Sequence, residues 1–402
     1  MVRELVPIRE GAAPRIRQAS LSGTPLGVER GRIQVEAKGP ACVDYETSFE
    51  RSWLQPEDSS ALVVSQGQWL WRPHPFPAQL TASVEFVLRD GEQVAVPWPR
   101  EGGRYRLDHS AFFADTYTVF GEFDSKVLEV GGTRLHIARL GAQPSDSQVQ
   151  RWLERAMLAA SSVGPFPRDD VHFVIAPVDV ARDDVVFGML RRGGGASILL
   201  VPSVRATRDG LDRDWVAVHE LSHLWLPRFH AEDRWLSEGI ATYLQEVLRA
   251  RCGVQTEERA WQRFLDGFAR GREAGTGRPL ALESRDMDET GAYRRVYWAG
   301  AAFALEADLH LRRATGGQRS LLDAIRSAQT SWGTSARPVG ADAFLRALDE
   351  QEGGHLLELA RRYETRSAFP ELALRSAELR KWRAAALQPA RDGCGLSAES
   401  LQ

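Results

Sequence analysis

The sequence predicts a multidomain α+β chain: an N-terminal β-sandwich over residues 1–130, a central α/β unit over 131–275 and a C-terminal helical region over 276–402. Three observations predict it. At 402 residues the chain exceeds what a single hydrophobic core usually holds. Short runs of period-two alternation broken by turn residues dominate the first third, and helical spacing of apolar residues dominates the last half.

In the first third, Ala82-Ser-Val-Glu-Phe-Val-Leu88 and Gln93-Val-Ala-Val-Pro-Trp98 alternate as strands do, between Gly, Pro and Asp-Gly turn signals. From about 131 the pattern changes to an α/β unit. The strand Arg134-Leu-His-Ile-Ala138 precedes a helix from Ser145 that places Val149, Trp152, Leu153, Ala156, Met157 and Ala160 on one face. Two further strands are expected, Val171-His-Phe-Val-Ile-Ala-Pro177 and Ser197-Ile-Leu-Leu-Val-Pro202. From about Leu211 helices follow, with breaks at Gly271–Pro279, Gly316-Gly317, Gly333–Gly340 and Gly353-Gly354.

Composition is that of a globular protein, with 43% hydrophobic and 26% charged residues. The 51 Lys+Arg against 54 Asp+Glu leave a formal charge of −3, which gives no electrostatic reason to expect nucleic acid or an anionic membrane as partner. No apolar run is long enough to span a bilayer, and the N-terminus lacks the apolar core of a signal peptide, so a cytoplasmic location is expected. Three scattered cysteines, Cys42, Cys252 and Cys394, suggest structural thiols and neither a disulfide framework nor a cysteine metal site. The twelve tryptophans are expected mainly in cores.

Chemistry concentrates in Trp215-Val-Ala-Val-His219-Glu220-Leu-Ser-His223-Leu-Trp225. On a helix, His219 and His223 share a face and can reach one cation, while Glu220 points at water beside it. Without a metal, two imidazoles and a carboxylate in an apolar helix would each cost several kcal/mol. Catalytic zinc takes three protein ligands and an open position, and Trp235-Leu-Ser-Glu238-Gly-Ile-Ala supplies the third ligand in Glu238. Asp233 is placed to cap the helix carrying it, and Gly239 to let that helix cross the histidine helix closely. His230 is one residue out of register for the alternative His-rich pattern and is expected in a loop or behind the ligands.

These residues resemble the gluzincin peptidases, and among them the aminopeptidases of the M1 and M61 families, most closely an M61-like catalytic domain. The resemblance spans roughly 116–325 and includes Thr116–Asp124, Val163-Gly-Pro-Phe-Pro-Arg-Asp169 and Tyr297-Trp-Ala-Gly300. It implies a thermolysin-like fold for the central domain and one zinc ion per chain. It also implies that Tyr297 donates to the oxyanion, as a phenol that stays protonated at neutral pH can. Tyr293, one turn earlier, competes for that role. Two departures stand out: fourteen residues separate His223 from Glu238 where M1 members have eighteen, and Ala299 replaces the family's lysine.

A third departure is chemical. Where the family's amine-binding glutamate belongs, this chain reads Arg191-Arg-Gly193-Gly194-Gly195-Ala-Ser197, without a carboxylate. Gly193, Gly194, Gly195 and Ser197 are candidate substrate contacts, with Ser197–Pro202 as an edge strand that receives a peptide backbone. Arg191 and Arg192 suit either an acidic substrate group or, more commonly, a solvated turn. The expected activity is hydrolysis of a peptide or protein substrate, with Glu220 as base and then acid. An endopeptidase, a specialised amide hydrolase and a non-catalytic peptide-binding relative are the alternatives.

Overall fold

The computed structural model describes residues 2–8, 16–29, 31–37, 43–49, 59–77, 80, 82–162, 164–180, 183–332, 338–353, 355–372, 376–389 and 394. Cys42, Val163, Gly333 and Gly354 lie outside them. The chain is a multidomain α+β protein with mixed sheets followed by helices. It divides into two compact units, one of residues 1–129, 133–146 and 170–207, the other of 130–132, 147–169 and 208–402. This division cuts across the three domains expected from the sequence, because the central sheet goes with the N-terminal β-structure.

In the first unit, the N-terminal β-structure is shared, among the described residues, by four small sheets. Ala19, Ile33, Val35 and Trp71 bury one core between strands of two of them. A second core gathers Trp69, Trp98, Leu107 and Phe112, where large aromatic surfaces make up for short strands. The expected strand at Ala82–Leu88 keeps only Ala82–Val84, since Phe86 leaves the ladder to pack against Trp69 and Trp98.

The five-stranded sheet runs in the order Asp124–Val130, Thr133–Arg139, Asp170–Ile175, Ser197–Pro202, Val185–Arg191. The three inner strands are parallel and the last is antiparallel. Ser197–Pro202 is therefore an interior strand, buried at every residue, and not the edge strand the sequence suggested. The edge belongs to Val185–Arg191, whose half-exposed pattern with Gly188 inside it hides the strand from a reading by periodicity.

The second unit is helical. The predicted helix spans Asp146–Ala160 with its six apolar residues buried as spaced. The expected breaks separate the helices Glu257–Glu273 and Leu280–Arg285, Tyr293–Ala314 and Leu321–Trp332, and Ala341–Glu352 and Leu356–Glu364. Cys252 and Cys394 are joined in a disulfide, which corrects the expectation of free thiols. Their separation of 142 residues carries no spacing signal that sequence could offer. No helix among the described residues is long and apolar enough to cross a membrane.

Candidate metal centre

His219 lies on the short helix Val216–Ser222, and His223 opens the single 3-10 turn His223–Trp225 that ends it. The helix starts where it does because Asp214 accepts from the backbone N–H groups of Val216 and Ala217, both at 2.9 Å. Trp152 Nε1 donates to the same carboxylate at 2.9 Å. An acidic residue just before an apolar run is a helix-start signal that the sequence itself carries.

Glu238 lies in the second turn of the helix Arg234–Arg251. Asp233 does not cap that helix with its side chain: it accepts instead from Ala341 N at 2.9 Å, and Ser284 Oγ accepts from Trp235 N. Gly239 does serve close packing, but against a different partner from the one expected. A Cβ there would run into the Gly300 backbone of the helix Tyr293–Ala314, and a Cβ on Gly300 would meet Trp235 and Gly239 in turn. Two facing glycines thus bring the carboxylate helix and the tyrosine helix together.

The three ligand-type side chains converge. Nε2 of His219 and Nε2 of His223 are 3.2 Å apart, and Oε2 of Glu238 is 3.3 Å from the first and 3.4 Å from the second. Together they form a cluster able to hold a metal ion. Each imidazole is oriented from behind. His219 Nδ1 faces Gln245 Oε1 at 2.8 Å, and Gln245 Nε2 donates to Glu246 at 3.0 Å, which fixes which end of the amide His219 meets. His219 therefore donates from Nδ1 and keeps the Nε2 lone pair for a cation. His223 Nδ1 has Ser237 Oγ at 3.1 Å.

Burial works against a charged Glu238, yet the two imidazoles outweigh it and hold the carboxyl below its usual range. Burial also opposes a charged His219, but Glu238 and Glu220 raise it. Glu220 is buried, and its negative charge acts on both His219 and Tyr297. Tyr297 stacks on the His219 ring with centroids 5.8 Å apart and an interplanar angle of 8°. Burial, and then the negative charges of Glu238 and Glu220, push its phenol well above the ordinary value, so it is neutral at pH 7. Tyr293 is 42% exposed, and its hydroxyl goes to Asp288 at 3.2 Å.

The remaining candidates stand apart. His230 is exposed in the loop before the carboxylate helix. Gly193, Gly194 and Gly195 are packed by their own unit: a Cβ would meet the Ala114–Asp115 backbone, the Trp98 ring and the Pro97 carbonyl respectively. Trp98 Nε1 also donates to Gly193 O at 2.9 Å, and Ser197 is buried. Arg191 is not a solvated turn residue, since it pairs with Asp115 at 2.5 Å and lies over the Tyr117 ring. Sequence reasoning missed Gln245, although Glu238, Thr242 and Gln245 fall on one helix face by spacing alone.

No family model matches the chain. No curated protein matches it either. Solved structures share its fold. An aminopeptidase N family protein from Idiomarina loihiensis superposes with a TM-score of 0.71 at 17% identity, covering 94% of this chain and 73% of that one. An M1 zinc metallopeptidase from Deinococcus radiodurans gives 0.54 at 17% identity, covering 93% and 88%. A mutant of that enzyme bound to a Tyr-Ser-Ala substrate gives 0.54 at 16% identity, covering 92% and 88%. The chain therefore has the fold of the M1 zinc metallopeptidases.

Proposed function

We propose that this chain is a zinc-dependent metallopeptidase in which His219, His223 and Glu238 hold the ion. The observation that carries the proposal is the spacing of the three ligand atoms, 3.2–3.4 Å. Ligands at roughly 2.0–2.1 Å from a tetrahedral zinc are separated by about 3.3–3.4 Å along each edge. Two imidazoles and a carboxylate are also the donor set that suits zinc. When bound, the ion supplies Lewis acidity, bringing the pKa of a water down to about 7 and polarising a carbonyl.

The protein groups do the rest. Glu220 takes the proton of the attacking water and returns it to the leaving amine, one carboxylate serving as base and then acid. Tyr297, kept neutral by its surroundings, donates to the carbonyl oxygen as negative charge develops there. Gln245 and Ser237 hold the two imidazoles in their ligating orientation.

Removal of N-terminal residues, as by an M1- or M61-like aminopeptidase, is the specific activity this reading favours. A second reading, cleavage without recognition of a free amine, is favoured by the segment Arg191–Ser197, which lacks a carboxylate and has its glycines filled by Trp98, Pro97 and Ala114. One experiment tests both. The purified chain is assayed for bound metal by elemental analysis, and wild type and Glu220→Gln are incubated with a mixed peptide library read by mass spectrometry. About one zinc per chain, with cleavage lost in the variant, supports the peptidase, and the product ends decide between exo- and endo-cleavage. A chain that binds no metal would sink the proposal.

A further inference from the structure

Beside Tyr297 opens a cleft of about 320 Å³, which shares Gln245 and Trp215 with the surroundings of the metal centre. Its volume is at the low end of small-molecule sites and fits one or two residues of a peptide. Three arginines line it. Arg263 and Arg270 come from one face of the helix Glu257–Glu273, seven residues apart, and Arg294 from the first turn of the tyrosine helix. Trp298 forms part of the wall, with the Arg270 guanidinium over its ring at 5.5 Å.

The charges in the cleft do not cancel. Among the described residues, Glu246 is its one lining carboxylate, and that carboxylate is already held by Arg249 at 3.3 Å and by Gln255 Nε2 at 2.7 Å. Arg263 reaches it only at 4.0 Å. Among the described residues, no carboxylate forms an ion pair with Arg270 or Arg294. Arg270 and Arg294 are exposed and Arg263 is half-buried, and all three line a cavity walled by Trp215 and Trp298 beside the candidate oxyanion donor. A planar guanidinium binds a carboxylate through two parallel hydrogen bonds and stacks on aromatic rings, so this lining recognises that group better than any neutral one.

We infer that the cleft binds a carboxylate of the peptide substrate, supplied by its C-terminus or by an acidic side chain. This rests on the peptidase reading and deepens it: selection is made through a substrate anion, where the Arg191–Ser197 segment offers no carboxylate for a free amine.

The test uses four alanine-based hexapeptides: a free C-terminal acid, the corresponding amide, and the amide with one Glu or one Gln. Cleavage by wild type is expected to favour the acid-bearing peptides about 10-fold or more in kcat/KM, the range of charge-assisted hydrogen bonds. Preference for the free acid alone assigns the terminus, and preference for Glu over Gln assigns the side chain. The preference should collapse in Arg270→Ala/Arg294→Ala, persist in part in Arg270→Lys/Arg294→Lys, and weaken with added NaCl. Equal cleavage of acid and neutral peptides, or a preference that survives the double alanine variant, overturns the inference and leaves the peptidase standing. If nothing is cleaved, calorimetry of the same peptides on the wild-type chain separates the two claims. Acid-selective binding lost in the double variant upholds the cleft while the peptidase falls, and binding without selectivity, or none, ends the inference.

Discussion

Two clusters of acidic side chains in the helical unit differ in what surrounds them. At the candidate metal centre, Glu238 meets two imidazoles and is held below the usual carboxyl range. Near the start of the same helix, Glu364 lies by Asp233 and Asp342 and is pushed up to about 7, by burial first and by those two negative charges next. Only Arg361, itself paired with Asp342 at 3.1 Å, works the other way. The contrast teaches that accumulated carboxylates do not make a site. A site needs ligand atoms of different kinds converging at coordination spacing, each fixed from behind, as Gln245 and Ser237 fix the histidines.

The largest effects should therefore come from the converging set. His223→Ala is expected to abolish stoichiometric metal binding and cleavage, read by elemental analysis and peptide assay, and to lower Tm because metal binding stabilises the fold. An alanine variant that retains a full zinc equivalent would break the comparison at its centre. Glu220→Gln should keep the metal and lose about 10²- to 10⁴-fold in kcat. Tyr297→Phe should cost about 10²- to 10³-fold in kcat. Tyr293→Phe, whose hydroxyl goes to Asp288, should leave kcat within a few-fold. Equal losses in the two tyrosine variants would return the oxyanion role to the open. Gln245→Ala removes the partner of His219 and should weaken metal affinity about 10- to 100-fold in a chelator competition.

Much of this was legible because the chemistry is written in residue types at fixed spacing. His219 and His223 four apart, a glutamate fifteen residues on, and Tyr297 in its own short segment all arrive at one place. What sequence could not convey was the identity of partners. Gly239 announces a close approach, but nothing local says that Gly300 is what approaches. Gly193–Gly195 announce the same, and the approaching groups are Ala114, Trp98 and Pro97, so a segment that reads as room for a substrate is filled by the protein. Asp233 fits the cap position of its own helix by sequence, yet its carboxylate serves the helix that begins at Ala341. Pairings across a hundred residues are tertiary facts, and local propensity does not carry them.

The smallest expected effect tests the other member of the comparison. A glutamate whose carboxyl titrates near 7 in the fold and near 4.3 in the unfolded chain binds its proton more tightly when folded. The unfolded chain then carries fewer protons between those values, so stability falls as pH rises. The contribution is complete below about pH 4 and is lost as pH passes through 7. Partial exposure screens such a shift to about 1 kcal/mol, a few degrees of Tm or less. Glu364→Gln cannot ionise, so it should narrow the fall in Tm between pH 5 and pH 8 relative to wild type, with the gain appearing at pH 8. Other groups titrating in that window affect both proteins alike, so the difference between them isolates this carboxyl. If the two Tm profiles run parallel, Glu364 is not under the repulsion of Asp233 and Asp342, and the contrast with Glu238 loses its second half.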